Sequence, residues 1–226
     1  KTPANKIFKA INSYSNESEI RYVGGCIRKI INKENVDDVD LATNLEPYQI
    51  CEALKKNKIQ FHETGLAHGT ITALIDEFKF EITTLREDVA TDGRHAKVRF
   101  SKNWKEDSLR RDFTINSIYS DINGNLYDPF MGKKDIEDGL LKFIGIDEER
   151  IKEDYLRILR YVRFFLNYSK SSHSQKTIRV IKKNIDGISK ISSERLIDEF
   201  RKIVKSKGLF KLYKDKFSLE IISLIF

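Results

Sequence analysis

Cysteine, proline, methionine and tryptophan are all scarce: the 226 residues hold 2 Cys, 3 Pro, one Met and one Trp. Cys26 and Cys51 form no C-x-x-C pair, which excludes a cysteine zinc cluster and a disulfide framework and suits a reducing cytoplasm. His62, His68, His95 and His173 are scattered without ligand spacing, so no histidine metal site is expected. No apolar run reaches the roughly 18 residues of a membrane span, and no signal peptide, internal repeat or low-complexity tract is visible. What remains is a globular composition, 40% hydrophobic, with a net charge of +7. That charge is uneven: residues 151–226 carry 18 Lys+Arg against 8 Asp+Glu, and residues 1–150 carry 23 against 26. Either the lysines simply solvate helices, or the chemistry sits in the first part and a grip on a polyanion in the last. The chain starts at Lys1 and stops inside the apolar run LEIISLIF, so a C-terminal continuation is expected.

The hydrophobic pattern predicts a helix over 3–14, a strand IRYVG running into Gly24-Gly25, and a helix from about Cys26. VDLAT (39–43) reads as a strand and 47–58 as a helix with Pro in its first turn. GTITALI and EFKFEITTL read as two strands joined at Asp76-Glu77, so the sheet is mixed. Residues 86–103, polar around Asp92-Gly93, read as a long mobile excursion. A helical stretch near 104–111, a strand beginning TINSI, a turn at DINGN, a short helix and a strand LLKFIG follow. Beyond residue 146 only helical periodicity appears, over 147–168, 174–184 and 192–206, which places a domain boundary there.

The first stretch with chemistry in it is VGGCIRKIINKENVDDVDLATN (23–44). Gly24-Gly25 lets backbone amides approach phosphate oxygens because no Cβ intervenes, and Arg28, one turn on, adds a charge-assisted contact. Asp38 and Asp40 alternate at a strand entry, so both carboxylates project from one face. Two like charges held together call for a cation, and Mg²⁺ suits a pair of hard carboxylates beside substrate phosphates. Two such metals would activate an attacking hydroxyl and stabilise a leaving pyrophosphate. Alone, Gly-Gly is an ordinary turn and Asp-Val-Asp a solvated loop; their order and short separation tie them together.

Four further segments occur in order: RRDFTIN, DPFMGKKDIEDG, EDYLRILRYVRF and ISSERLIDEF. With the glycine–aspartate stretch they resemble, over residues 20–206, the class II CCA-adding tRNA nucleotidyltransferases and the bacterial poly(A) polymerases of the same family. The resemblance implies an α+β architecture: a mixed-sheet, polymerase β-like nucleotidyltransferase head (1–146), then an all-helical neck (147–226) that selects nucleotides and binds RNA. It implies that Gly25 and Arg28 touch a triphosphate and Asp38 and Asp40 bind magnesium. It further implies that Arg111 contacts the incoming nucleotide and that Asp154, Arg157, Arg160 and Arg163 line its pocket. The implied reaction transfers CMP and AMP from CTP and ATP to the 3′ end of tRNA without a template. Poly(A) synthesis, CC addition and a catalytically silent RNA-binding remnant are the alternatives. Lys29 stands where the family usually has an acid after its arginine. In that family the 86–103 region is a mobile element that helps the pocket switch from C to A.

Read as a helix, 151–166 puts Ile151, Tyr155, Ile158, Leu159, Val162 and Leu166 on a core stripe and steps Asp154, Arg157, Arg160 and Arg163 around the other side. Cytosine and adenine each present an amino donor beside a ring-nitrogen acceptor, so Asp154 paired with Arg157 would favour C and A over U and G. The plainer reading is an exposed i,i+3 ion pair. Arg111 is expected to meet a triphosphate or a ribose hydroxyl, with Arg110 and Asp112 as a structural bridge. Glu81 is a candidate third acid, Trp104, Tyr161 and Phe164 packing residues, and Arg195 a buttress at the start of a capped helix.

Overall fold

The structure is a computed structural model that describes residues 2–92 and 95–225. Its elements run α1 (Pro3–Asn12), β1 (Ile20–Val23), α2 (Gly25–Ile31), β2 (Val39–Thr43), α3 (Pro47–Lys56), β3 (Gln60–Gly65), β4 (Thr70–Ile75), β5 (Phe78–Thr84), β6 (Arg86–Asp92) and β7 (His95–Phe100). They continue with α4 (Trp104–Leu109), β8 (Tyr119–Ser120), β9 (Leu126–Tyr127), α5 (Gly132–Asp138), α6 (Asp147–Glu153), α7 (Leu156–Tyr168), α8 (Gln175–Asn184), α9 (Ser193–Val204) and α10 (Lys216–Ser223). The α+β class holds. None of the helices among the described residues is long and apolar enough to cross a membrane.

Two compact units divide the chain. The first comprises Lys1–Val89, Lys97–Arg111 and Ile115–Lys133; the second comprises Ala90–Ala96, Asp112–Thr114 and Lys134–Phe226. The chain therefore leaves the first unit for good at Lys133, ahead of residue 146, and the Arg110-Arg111-Asp112 triplet is split between units.

In the first unit seven strands pair in the order β3-β4-β5-β2-β1-β8-β9. Every pairing is antiparallel except β2 with β5, so the sheet is mixed as expected. The period-two alternation of these strands sends Leu41, Ile71, Ala73, Phe80 and Ile82 to one face. There they join Ile7, Phe8 and Ile11 of α1 and Ile50, Ala53 and Leu54 of α3 in one core. Each such fully buried large side chain stabilises the fold by about 1.5–3 kcal/mol. The opposite face carries a smaller cluster of Val23, Ala42, Leu85, Trp104 and Tyr119. That face also carries the acids.

Two expectations change, and one strand was not foreseen. Gln60–Gly65, with Phe61 its only large apolar residue, forms an edge strand whose order comes from pairing with β4. Arg86–Asp92 and His95–Phe100 form a two-stranded sheet in place of a loop, separate from the main sheet; Gly93 and Arg94 lie outside the described residues. LLKFIG makes only an isolated bridge, Phe113 with Phe143. Its apolar character is spent on packing, since Phe113, Phe143, Tyr161 and Phe164 form an aromatic cluster in the second unit.

The largest correction concerns 147–168, which is two helices and not one. Asp154 sits between α6 and α7 with extended backbone (φ −156°, ψ 105°). Its Oδ1 accepts from Leu156 N at 3.1 Å, so the side chain serves the opening turn of α7 instead of continuing α6. The core stripe survives, with Ile151, Ile158, Leu159, Val162 and Leu166 buried. The C-terminal apolar run folds as α10, which buries Ile221 and Ile222.

Candidate active site

The double glycine lies where β1 hands over to α2. Gly24 has φ +70° and ψ −119°, a region closed to L side chains, and its N–H donates to the Ile118 carbonyl at 3.1 Å. A Cβ on Gly24 would stand 3.3 Å from an Arg111 guanidinium nitrogen, and one on Gly25 would stand 3.8 Å from an Arg28 guanidinium nitrogen. Two cations thus flank one turn. Arg28 is buried, and its guanidinium donates to Asn116 Oδ1, a partner that no sequence pattern marked. Gly24, not Gly25, carries the demanding backbone. Lys29, in the unusual position, turns to Asp37 at 2.8 Å.

The Cys26 thiol donates to the Val23 carbonyl at 3.2 Å and reaches the Asp40 carbonyl at 3.8 Å, which ties the start of α2 to β2. Asp40 lies in β2 and Asp38 just precedes the strand, near enough that its charge acts on the Asp40 carboxyl. Asp40 is in register with Glu81 across the parallel β2–β5 pairing, and Glu81 with Thr72 on β4. Residues opposite one another share a face, so Glu81 joins the acids. Burial raises the Asp40 carboxyl above its ordinary value of 3.8; Glu81 and Asp38 push the same way, while Arg111 pulls against them. Among the described residues no group of three His, Cys, Asp or Glu has a metal-holding arrangement. The chemistry of the donors nevertheless fits a hard divalent cation, because crowded carboxylate oxygens that repel one another gain most from one.

Arg111 is fixed from below. Its NH2 donates to Asp107 Oδ2 at 3.0 Å and its Nε to the Tyr119 hydroxyl at 3.1 Å. Tyr119 in turn donates to Asp107 Oδ2 at 2.6 Å, and Arg110 Nε to Asp107 Oδ1 at 2.9 Å. Burial opposes charge on Asp107, yet Arg111 and Arg110 outweigh it and hold the carboxyl well below the usual range. Burial, opposed by Arg111 and reinforced by Asp107, pushes the Tyr119 phenol up to about 12, so it stays a donor. Asp107 went unmarked in the sequence. Its signal was a buried-face acid three and four residues before two arginines, the spacing of neighbours on one helix face.

In the second unit the four residues expected to line the nucleotide pocket all have partners. Asp154 Oδ2 accepts from Arg195 at 2.8 Å. Arg157 is buried and donates to the Arg150 carbonyl and to Glu153 Oε2, each at 2.6 Å. The plainer reading, an ion pair of Asp154 with Arg157, is replaced by these two contacts, because Asp154 has left the helix. Arg160 Nε donates to Asp112 Oδ2 at 2.8 Å, and Arg163 Nε to the buried Glu199 at 2.5 Å. Asp112 therefore bridges to α7. Trp104, Tyr161 and Phe164 are buried packing residues, as expected.

Residues 20–142 match the family described as the poly A polymerase head domain. The chain belongs to this family. Residues 174–215 match a second family description, the probable RNA and SrmB-binding site of polymerase A. Among curated relatives of this poly(A) polymerase-head chain, the mitochondrial CCA tRNA nucleotidyltransferase 1 of Homo sapiens is 43% identical over 189 residues, 82% of this chain and 44% of the relative. A CCA-adding enzyme of Lactobacillus delbrueckii is 38% identical over 199 residues, 87% of this chain and 49% of that protein. The chain thus spans about half the length of these relatives. The Bacillus stearothermophilus CCA-adding enzyme, solved in complex with CTP, aligns with a TM-score of 0.80 at 28% identity over 92% of this chain and 50% of its own. A tRNA nucleotidyltransferase solved with a primer tRNA and an incoming ATP analogue aligns with a TM-score of 0.74 at 26% identity, over 96% and 62%.

Proposed function

We propose that the chain is the catalytic portion of a CCA-adding enzyme, which transfers CMP and AMP from CTP and ATP to the 3′ end of tRNA. The observation that carries this reading is the convergence, within the first unit, of two guanidiniums on the Gly24-Gly25 turn and of an acid cluster built on the Asp40–Glu81 register. The names of the relatives and the CTP, ATP-analogue and tRNA complexes of its structural neighbours support it.

In this reading the amides of the Gly24-Gly25 turn, Arg28 and Arg111 bind the triphosphate and orient its α-phosphate toward the primer. Asp38 and Asp40 would hold magnesium, with Glu81 beside them. When bound, magnesium supplies Lewis-acid activation of the primer 3′-hydroxyl and charge relief on the departing pyrophosphate. The hydroxyl oxygen, its proton passing to water, forms a bond to the α-phosphorus, the bond from the α-phosphorus to the β-phosphate oxygen breaks, and pyrophosphate leaves with the electron pair. Arg111, held by Asp107 and Tyr119, meets the developing negative charge without having to reorganise.

Base choice falls to Asp154 and Arg157. Each Asp154 oxygen has one structural partner, and a carboxylate oxygen accepts twice, so the group still has acceptor capacity for an exocyclic amine. Arg160 and Arg163 complete that pocket. The helical second unit grips RNA, and the cytoplasmic compartment suggested by two unpaired thiols belongs to the same reading.

The test supplies tRNA lacking its terminal CCA, Mg²⁺ and each labelled nucleotide singly and then together. Incorporation of C and A that stops after three residues supports CCA addition. Long A tails indicate a poly(A) polymerase, growth that stops after CC a CC-adding enzyme, and no incorporation alongside retained tRNA binding an RNA-binding module. Asp154→Ala should relax rejection of UTP and GTP without altering the magnesium requirement; unchanged nucleotide choice would remove Asp154 from the base-reading role.

A further inference from the structure

Tyr155, the residue directly after Asp154, leads into α7, and the core does not account for its ring. The helical stripe buries Ile151 and Ile158 on either side of it and leaves Tyr155 half-buried. The ring lies instead on Gly187, in the short helical turn Ile185–Lys190, with the Lys190 ammonium 5.5 Å from the ring centre. A Cβ on Gly187 would stand 2.0 Å from Tyr155 Cδ1, 2.1 Å from Cε1 and 2.5 Å from Cγ. Gly187 is buried and its φ is not positive, so its backbone is open to any L residue. Glycine also weakens a helical turn. What keeps a side chain out is the space the ring takes.

Asp154 and Tyr155 share one peptide plane, and the chain changes direction there. Asp154 is extended, whereas Tyr155 has φ −62° and ψ −19° and begins the helix. The first turn of α7 folds back on Asp154: the Leu156 N–H donates to its Oδ1 at 3.1 Å and the Arg157 N–H to its carbonyl at 3.0 Å. A ring held on Gly187 therefore fixes the pivot from which the Asp154 carboxylate is aimed. To reach ordinary carbon–carbon contact with a methyl at position 187, the ring would have to withdraw by about 1.5 Å. A misplacement of about 1 Å can lower a rate by about 100-fold even when it starts away from the chemistry.

We propose that the bare backbone of Gly187 and the ring of Tyr155 are a positioning pair that aims the Asp154 carboxylate and, through it, sets the rejection of the wrong base. Both act through Asp154 and not on the nucleotide. The link to base choice rests on the role proposed above for Asp154; the positioning does not.

Two measurements test the pair. On tRNA lacking its terminal CCA, the ratio of kcat/KM for CTP to that for UTP should fall by about tenfold or more in Gly187→Ala and in Tyr155→Ala. Tyr155→Phe, which keeps the ring, should hold the ratio. Adding Gly187→Ala to Tyr155→Ala should lower it no further, because the methyl has lost its obstacle. The second measurement uses no nucleotide: chemical denaturation of Gly187→Ala, Asp154→Ala and the two combined. A methyl that displaces Asp154 from Arg195 makes the two losses of stability less than additive. Should Gly187→Ala not fold, Tyr155→Ala takes its place in that cycle. Additive losses, or a ratio that falls in Asp154→Ala yet stands in Gly187→Ala and Tyr155→Ala, would overturn the proposal. A ratio that Asp154→Ala leaves unmoved would remove the base-reading role, and the stability cycle alone would then decide whether the pair aims that acid.

Discussion

Asp107 and Arg111 form a two-point clamp: the carboxylate takes the Arg111 NH2 at 3.0 Å and the Tyr119 hydroxyl at 2.6 Å, and that hydroxyl takes the Arg111 Nε at 3.1 Å. The guanidinium is thus aimed before any substrate arrives. Asp107→Asn should cost about 3 kcal/mol of stability, because it leaves buried cations without their charge partner. The folded carboxyl is depressed, so its contribution is present above the ordinary value of 3.8 and is lost as pH falls further. Chemical denaturation of both proteins should show a constant gap from about pH 5 to 8 that narrows only below about pH 4. A gap that instead closes toward neutral pH would contradict the clamp.

The two glycines should respond differently to the same substitution. Gly24→Ala forces a side chain into a positive φ beside the Arg111 guanidinium and should cost about 1–3 kcal/mol, together with CTP and ATP affinity. Gly25→Ala opens a helix with room for the methyl and should be neutral or stabilising by up to about 1 kcal/mol. Thermal melts and nucleotide titrations of the pair check the order; equal effects would mean that the turn has another conformation.

Neutralising Asp40 should separate stability from activity. Glu81, Asp38 and burial all disfavour its charge, so Asp40→Asn should raise the melting temperature at pH 7 in chelator while incorporation falls to background. Added magnesium should stabilise the unaltered chain and leave the variant unmoved. A lower melting temperature for Asn in chelator would show that the acids are not in conflict.

Arg195 reaches from α9 to Asp154 Oδ2 at 2.8 Å, so it orients the acid assigned to base choice. Arg195→Ala should relax rejection of UTP and GTP in the same direction as Asp154→Ala, with an unchanged half-saturating magnesium concentration, and Arg195→Lys should restore part of it. The readout is the ratio of kcat/KM for CTP to that for UTP. If both variants lose activity while that ratio stands, Arg195 is structural only.

Much of this was legible in the chain because it is local. Alternation over VDLAT and FKFEITT set two strands, and glycine next to glycine set a turn. Long-range pairing was not legible. Glu81 comes beside Asp40 only because β2 and β5 run parallel in that register, and Asn116 meets Arg28 across 88 residues. Gln60–Gly65 and Arg86–Asp92 became strands through their neighbours, and LLKFIG, with the better pattern, did not for want of one.

The sequence by itself determined which groups are present and their spacing along each element: a glycine turn, hard acids at a strand entry, arginines at helical intervals and a basic second half. Tertiary structure decided which of them meet. It broke one predicted helix at Asp154, gave that acid to Arg195 and Arg157 to Glu153, and set Arg111 on a buried carboxylate. The reason is physical: periodicity fixes direction within one element, whereas the pairing of buried charges is fixed only once desolvation makes every unsatisfied partner costly.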